Sequence, residues 1–124
     1  MTDDVHEAKA VGLRMYEAFN GRDLAALETI LAPDFVSHPL RTAGIEAVAD
    51  AWSRMFAVHP GIQVSVEDMV VDRDRVAVRS VLRGLSKSVP DGAEPAPTMM
   101  EIFRVRQGRI AELWGLSSLG RPSS

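Results

Sequence analysis

Phe103-Arg104-Val105-Arg106-Gln107-Gly108-Arg109-Ile110-Ala111-Glu112-Leu113-Trp114 reads as two short strands folded about a turn at Gln107-Gly108. Apolar and polar residues alternate before the turn, the period of a half-buried strand, and the polar break containing glycine is a hairpin signal. The pattern extends the hairpin over Thr98 to Ser118. Further upstream, Ile62, Val64 and Val66 alternate with Gln63, Ser65 and Glu67, and Val76 to Leu82 reads as the return strand after a turn at Asp72 to Arg75. The second half of the chain is therefore a sheet.

The first half has a different period. Val5, Ala8, Val11, Met15, Ala18 and Phe19 recur at three- and four-residue steps after Thr2, Asp3 and Asp4, a cap and two carboxylates suited to a helix N-terminus, and Asn20-Gly21 supplies the stop. A second, shorter helix follows Asp23 with Leu24, Leu27, Ile30 and Leu31 on one side, ending at Pro33. Phe35 to His38 is a brief extended stretch, since Pro39 disfavours helical geometry in the residue before it. A third helix follows Gly44, with Ile45, Val48, Trp52, Met55 and Phe56 on one face, and His59-Pro60-Gly61 terminates it. Residues Ser86 to Pro97 hold Pro90, Gly92, Pro95 and Pro97, which predicts a long surface loop of the kind that serves as a lid. Helices first and a sheet second predict an α+β domain over residues 1–124, ordered from about 4 to 118, with 119–124 as a tail.

Composition narrows the function classes. With 124 residues, 46% hydrophobic and 25% charged, the chain has the profile of one ordinary globular domain. A net charge of −3 with scattered Lys and Arg argues against nucleic-acid binding. The acidic start and the lack of any long apolar run predict no membrane segment and a cytoplasmic protein. With no cysteine, and with His6, His38 and His59 lacking ligand spacing, neither a metal nor another cofactor is expected.

The chain resembles the SnoaL-like polyketide cyclase family of the nuclear transport factor 2-like superfamily across roughly residues 8 to 118. The likeness is carried by Tyr16-Glu17-Ala18-Phe19-Asn20-Gly21 followed by Asp23-Leu24, by Phe35-Val36-Ser37-His38-Pro39, by Gly44, by Asp74-Arg75-Val76-Ala77-Val78-Arg79 and by the terminal hairpin. The resemblance implies a cone-shaped domain, often dimeric, whose curved mixed or antiparallel sheet wraps around three N-terminal helices and an apolar pocket. The superfamily includes cyclases, isomerases, epoxide hydrolases and non-catalytic binders, so fold alone does not select among them. The resemblance also implies an acid/base aspartate four residues beyond the tryptophan. Here that position is Ser118, which cannot act as that base.

A two-residue loop at Gln107-Gly108 sets Glu101 opposite Trp114, Phe103 opposite Glu112 and Met99 opposite Leu116, whereas a three-residue loop reverses the faces. Ser118 shares the parity of Trp114, and the family's aspartate makes that face the pocket side. Glu101 among Met99, Phe103 and Trp114 would be poorly solvated, with its pKa raised toward a value useful to a general acid or base. The competing reading pairs Glu101 with a cation such as Arg79. His38 is a candidate proton carrier or carbonyl polariser, or a structural histidine at a strand end. Arg79 is a candidate anion binder, or the ion-pair partner of Asp68 across the strands. Tyr16, Trp52, Phe56 and Trp114 are candidate walls of an aromatic pocket, although Trp52 and Phe56 at helical spacing also suit a plain core.

These residues predict a small-molecule enzyme acting by acid/base cyclisation or isomerisation on a hydrophobic polyketide-like or terpenoid-like substrate. Glu101 and His38 would be catalytic, and Tyr16, Trp52, Phe56, Arg79, Met99, Phe103, Trp114 and Ser118 would bind. The alternatives are a non-catalytic binding or assembly module, favoured by Ser118, and an epoxide-hydrolase or hydroxylation-associated enzyme. A homodimer through the sheet is expected, with Val76, Val78, Leu82, Met100 and Ile102 as the outer stripe.

Overall fold

The computed structural model describes residues 2–39, 41–86 and 97–118, with side chains from Val5 onward. Helix α1 spans Thr2–Asn20; a single 3-10 turn at Leu24–Ala26 leads into α2 (Leu27–Ile30); and α3 spans Ile45–Val58. The strands are β1 (Leu31–Ser37), β2 (Thr42–Ala43), β3 (Gln63–Asp72), β4 (Arg75–Arg83), β5 (Thr98–Arg106) and β6 (Arg109–Ser117). They form one mixed sheet in the order β2-β1-β6-β5-β4-β3, in which β1 and β6 run parallel and every other pair antiparallel. The α+β reading therefore holds. No helix among the described residues is long and apolar enough to cross a membrane.

The helices bury one face against the inner face of the sheet. Ala8, Val11, Met15 and Phe19 of α1, Leu27 and Ile30 of α2 and Val48 of α3 join Val64, Val76, Val78, Leu82, Phe103 and Ile110 in one core. Asn20 fastens the end of α1 to the edge strand: its side-chain amide donates to Val64 O at 2.9 Å and its carbonyl oxygen accepts from Val64 N at 2.7 Å. A single side chain thus satisfies both backbone groups of a residue on an otherwise unpaired edge.

The helix ends differ from the simplest expectation at two places. After α1 the left-handed position is taken by Arg22 (φ 59°), not Gly21, with Arg22 N–H bonded to Phe19 O and Asp23 N–H to Ala18 O. Arg22 is held there by its guanidinium, which donates to Pro60 O at 2.8 Å and lies over the Phe56 ring at 4.3 Å. The second helix also ends earlier than Pro33, because Leu31 already pairs with Ile110 as the start of β1. Pro33 is accommodated where the β1–β6 register shifts between Leu31 and Val36, so the proline's missing N–H interrupts no regular ladder.

Two expectations about faces are corrected. Val76, Val78 and Leu82 are at most 3% exposed and belong to the core, so they are not an outer stripe. Met100 and Ile102 do face outward, together with Val70 and Leu116. The expected lid at 86–97 falls outside the described residues from 87 to 96, as does the tail 119–124.

Candidate functional site

The terminal hairpin decides which side chains meet the cavity. Its turn does have two residues, Gln107 (φ 53°) and Gly108 (φ 75°), between the paired Arg106 and Arg109. One extra residue, Ala111, then enters β6: Val105 pairs with Ile110 but Arg104 pairs with Glu112. Beyond this bulge Glu101 lies opposite Gly115, Phe103 opposite Leu113, and Ile102 opposite Trp114. The expected Glu101–Trp114 pairing is therefore wrong by one residue, and a one-residue slip sends Trp114 and Glu112 to the outer face.

Between this inner face and the helices lies a cavity of about 200 Å³. Met15, Tyr16 and Phe19 of α1 and Val48, Ala51, Trp52 and Met55 of α3 form one side; Leu31, Phe35 and Ser37 of β1, with Pro39, form another. Val64, Leu82, Met99, Glu101 and Leu113 complete the sheet wall. On its wall Phe19 and Trp52 meet edge to face (5.1 Å between centroids), and Phe56, which does not line it, packs on Phe19 and beneath Arg22.

Glu101 is the one carboxylate among these lining residues, and Tyr16 O–H donates to its Oε1 at 2.7 Å. Room for the carboxyl comes from Gly115: a Cβ there would lie 3.1 Å from Glu101 Cγ and 3.7 Å from Oε2. Burial raises the Glu101 pKa above its ordinary 4.5, opposed in part by the Tyr16 hydrogen bond. Burial, then the nearby Glu101, also raises the Tyr16 pKa, so the phenol remains a donor. Chemically, the pair is a hydrogen-bonded acid at the polar end of an apolar chamber.

Of the expected site residues, Tyr16, Trp52, Met99 and Glu101 meet at this cavity. Phe103 is fully buried, packed beside Gly12 in the core, and Phe56 is packed as described. His38 lies on the opposite side of the sheet, stacked on Trp114 (4.9 Å, 6° between planes) and bonded through Nε2 to Glu112 Oε2 at 2.7 Å. That bond, with Arg104 beside it, lowers the Glu112 pKa. Arg79 is exposed and paired with Asp68 at 2.8 Å, the cross-strand alternative. Ser118 is exposed, its Oγ accepting from Thr98 N–H at 3.0 Å. The convergence of Glu101, His38 and Ser118 on one cavity does not occur. Among the lining residues that tertiary packing added are Phe35, Ser37, Pro39 and Met55; Phe35, Ser37 and Pro39 alternate with Val36 and His38 in the very segment that pointed to His38, and they are the ones that line the cavity.

Among the described residues no three His, Asp or Glu side chains gather in a metal-ligating group. A family model described as a SnoaL-like domain matches residues 13–113. IdmH, a proposed polyketide cyclase from Streptomyces antibioticus, is 32% identical, with 90% of this chain and 91% of that one covered and a TM-score of 0.77. TsrD from Streptomyces laurentii (21% identity, 94% and 91% covered, TM-score 0.76) shares the fold. So does AclR, a proposed hydroxylase from Streptomyces galilaeus (23%, 94% and 81%, TM-score 0.74). No curated protein matches the chain significantly. With the family model spanning most of the chain and the sheet and helices arranged as described, this protein belongs to the SnoaL-like family of the nuclear transport factor 2-like superfamily.

Proposed function

We propose that the protein binds a hydrophobic polyketide-like or terpenoid-like molecule in this cavity and that Glu101 moves protons at a carbonyl group, promoting cyclisation or isomerisation. The observation that carries the reading is the Tyr16–Glu101 pair, the acid end of a chamber lined, Ser37 apart, by apolar residues. In a cyclisation, Glu101 donates its proton to the carbonyl oxygen as an enol carbon of the same molecule attacks the carbonyl carbon. The carboxylate left behind then accepts the proton released from the enol O–H, so the acid is regenerated. Tyr16 stabilises that transient carboxylate, because a hydrogen bond to an ionised acceptor is stronger than one to a neutral acid.

Exchange of α-hydrogens in D2O tests proton transfer without the natural substrate. Wild-type protein is expected to accelerate deuterium uptake at the α-carbon of 2-tetralone, read by mass spectrometry. Glu101→Gln should reduce the acceleration by about 10²–10⁴-fold, the usual contribution of a positioned acid or base. Acceleration that survives in Glu101→Gln would remove Glu101 from the mechanism.

A second reading, a binding module without chemistry, draws on the placement of His38 and Ser118: neither supplies Glu101 with a second proton carrier. Binding without exchange would select it. An epoxide-hydrolase or hydroxylation-associated role has less support, because the described lining offers no second carboxylate. We also propose a homodimer through the outer sheet face, where Val70, Met100, Ile102 and Leu116 are 66%, 53%, 45% and 73% exposed.

A further inference from the structure

The described walls of the cavity contain no lysine, arginine or histidine. Of the cations adjacent in sequence to lining residues, Arg14, Arg54 and Arg83 are exposed, and others close by are engaged elsewhere. Arg22 donates to Pro60 O and covers Phe56, Arg104 binds Glu112, and His38 lies with Glu112 beyond the sheet. A carboxylate or phosphate entering this space would lose its hydration and find no opposite charge among the described lining residues, beside a carboxyl that would repel it if ionised. An ammonium group would be matched only by an ionised Glu101, which an apolar wall of Phe35, Met99 and Leu113 disfavours. An uncharged carbonyl or ether oxygen meets neither penalty: Oε1 of Glu101 is held by Tyr16, which leaves Oε2–H, on the Gly115 side, as the donor to the ligand. Size adds a second restriction. The cavity's 200 Å³ falls below the roughly 300–1,000 Å³ of sites for drug-sized ligands, and it is flanked by the rings of Phe19 and Trp52.

Resting on the function proposed above, we infer that the part of the substrate enclosed by this cavity is an uncharged carbonyl compound about the size of two fused six-membered rings, selected against its carboxylate and amine counterparts. Specificity by this route is strong, because a buried ion with no partner is penalised more heavily than a missing methylene, which changes affinity by about 10–200-fold.

Three ligands on one frame test it: 1-tetralone, 1-aminotetralin and 1,2,3,4-tetrahydro-1-naphthoate, titrated at pH 7 into protein with labelled methionine methyl groups. Methyl shifts of Met15, Met55 and Met99 report entry into the cavity. The ketone should bind at least tenfold more tightly than either charged analogue and shift all three methyl groups. Glu101→Gln should retain ketone binding within about threefold, since its carboxamide N–H still donates, and Glu101→Leu should weaken it by tenfold or more. Tighter binding of the amine or the carboxylate, absence of cavity shifts with the ketone, or unchanged affinity in Glu101→Leu would overturn the inference. These outcomes are separable from failure of catalysis. A ketone that binds selectively but exchanges no deuterium sinks the proton-transfer reading alone, and exchange with an amine preference sinks only the selectivity.

Discussion

Glu101 joins a cost to a use. Its carboxyl is held among apolar side chains with one phenol as hydrogen-bond partner, so burial raises its pKa and disfavours the ion. The effect on stability has a definite sign. The unfolded chain releases this proton near 4.5 and the native state releases it only at higher pH, so the native state binds more protons between the two values. The contribution of Glu101 to stability is therefore fully present below about 4.5 and is lost as pH rises through the folded value. In urea titrations from pH 4 to 8, Glu101→Gln should lack this decline, so its stability relative to wild type should grow with pH. Tyr16→Phe should extend the decline to higher pH, because it removes the hydrogen bond that lowers the Glu101 pKa. A pH-independent difference between Glu101→Gln and wild type would mean that the carboxyl is not perturbed. Glu112, whose pKa is lowered by His38 and Arg104, acts in the opposite direction at low pH, and it cancels in the comparison.

Strand β6 shows how one inserted residue assigns a site. Ala111 is 3% exposed and has no partner on β5, so the strand carries one residue more than its neighbour. The two-residue turn and the bulge together put Leu113 and Gly115 inside and Glu112 and Trp114 outside. Deleting Ala111 leaves Glu112 still opposite Arg104 and keeps both faces, so that variant should fold at a cost of about 1–3 kcal/mol. Deleting Leu113 instead turns Trp114 inward opposite Phe103 and every later residue to the wrong face, which should abolish cooperative unfolding. Thermal melts followed by circular dichroism separate the two, and equal behaviour would contradict the bulge. Gly115 belongs to the same device, because a Cβ at that register would crowd the Glu101 side chain, 3.1 Å from its Cγ.

For the whole molecule, the sheet has one face covered by the helices and one that no described element covers. Across this second face Val70, Ala77, Ile102 and Trp114 align through the register, with Met100 and Leu116 paired in an adjacent row and the Asp68–Arg79 pair alongside. Ile102→Glu places a charge in the middle of that row without touching the cavity. It should convert a sedimenting dimer to a monomer with little change in ketone binding; a wild-type monomer at high concentration would contradict the dimer. Period and order made the α+β class, the two hairpins, three helices and the candidate Glu101 legible, because each follows from spacing along the chain. The sequence resemblance located the family. The cavity was only half legible: Tyr16, Trp52, Met99 and Glu101 were recognised, whereas Trp114 and Ser118 were drawn in by a register that ignored Ala111, His38 by its imidazole alone, and Arg79 takes the Asp68 pairing that the sequence also offered. A bulge leaves the alternation readable on either side of itself while reversing its sense, and a hydrogen bond such as Tyr16–Glu101 joins residues 85 positions apart. Local spacing determines which residues can share a face; only the packed sheet decides which face encloses the cavity.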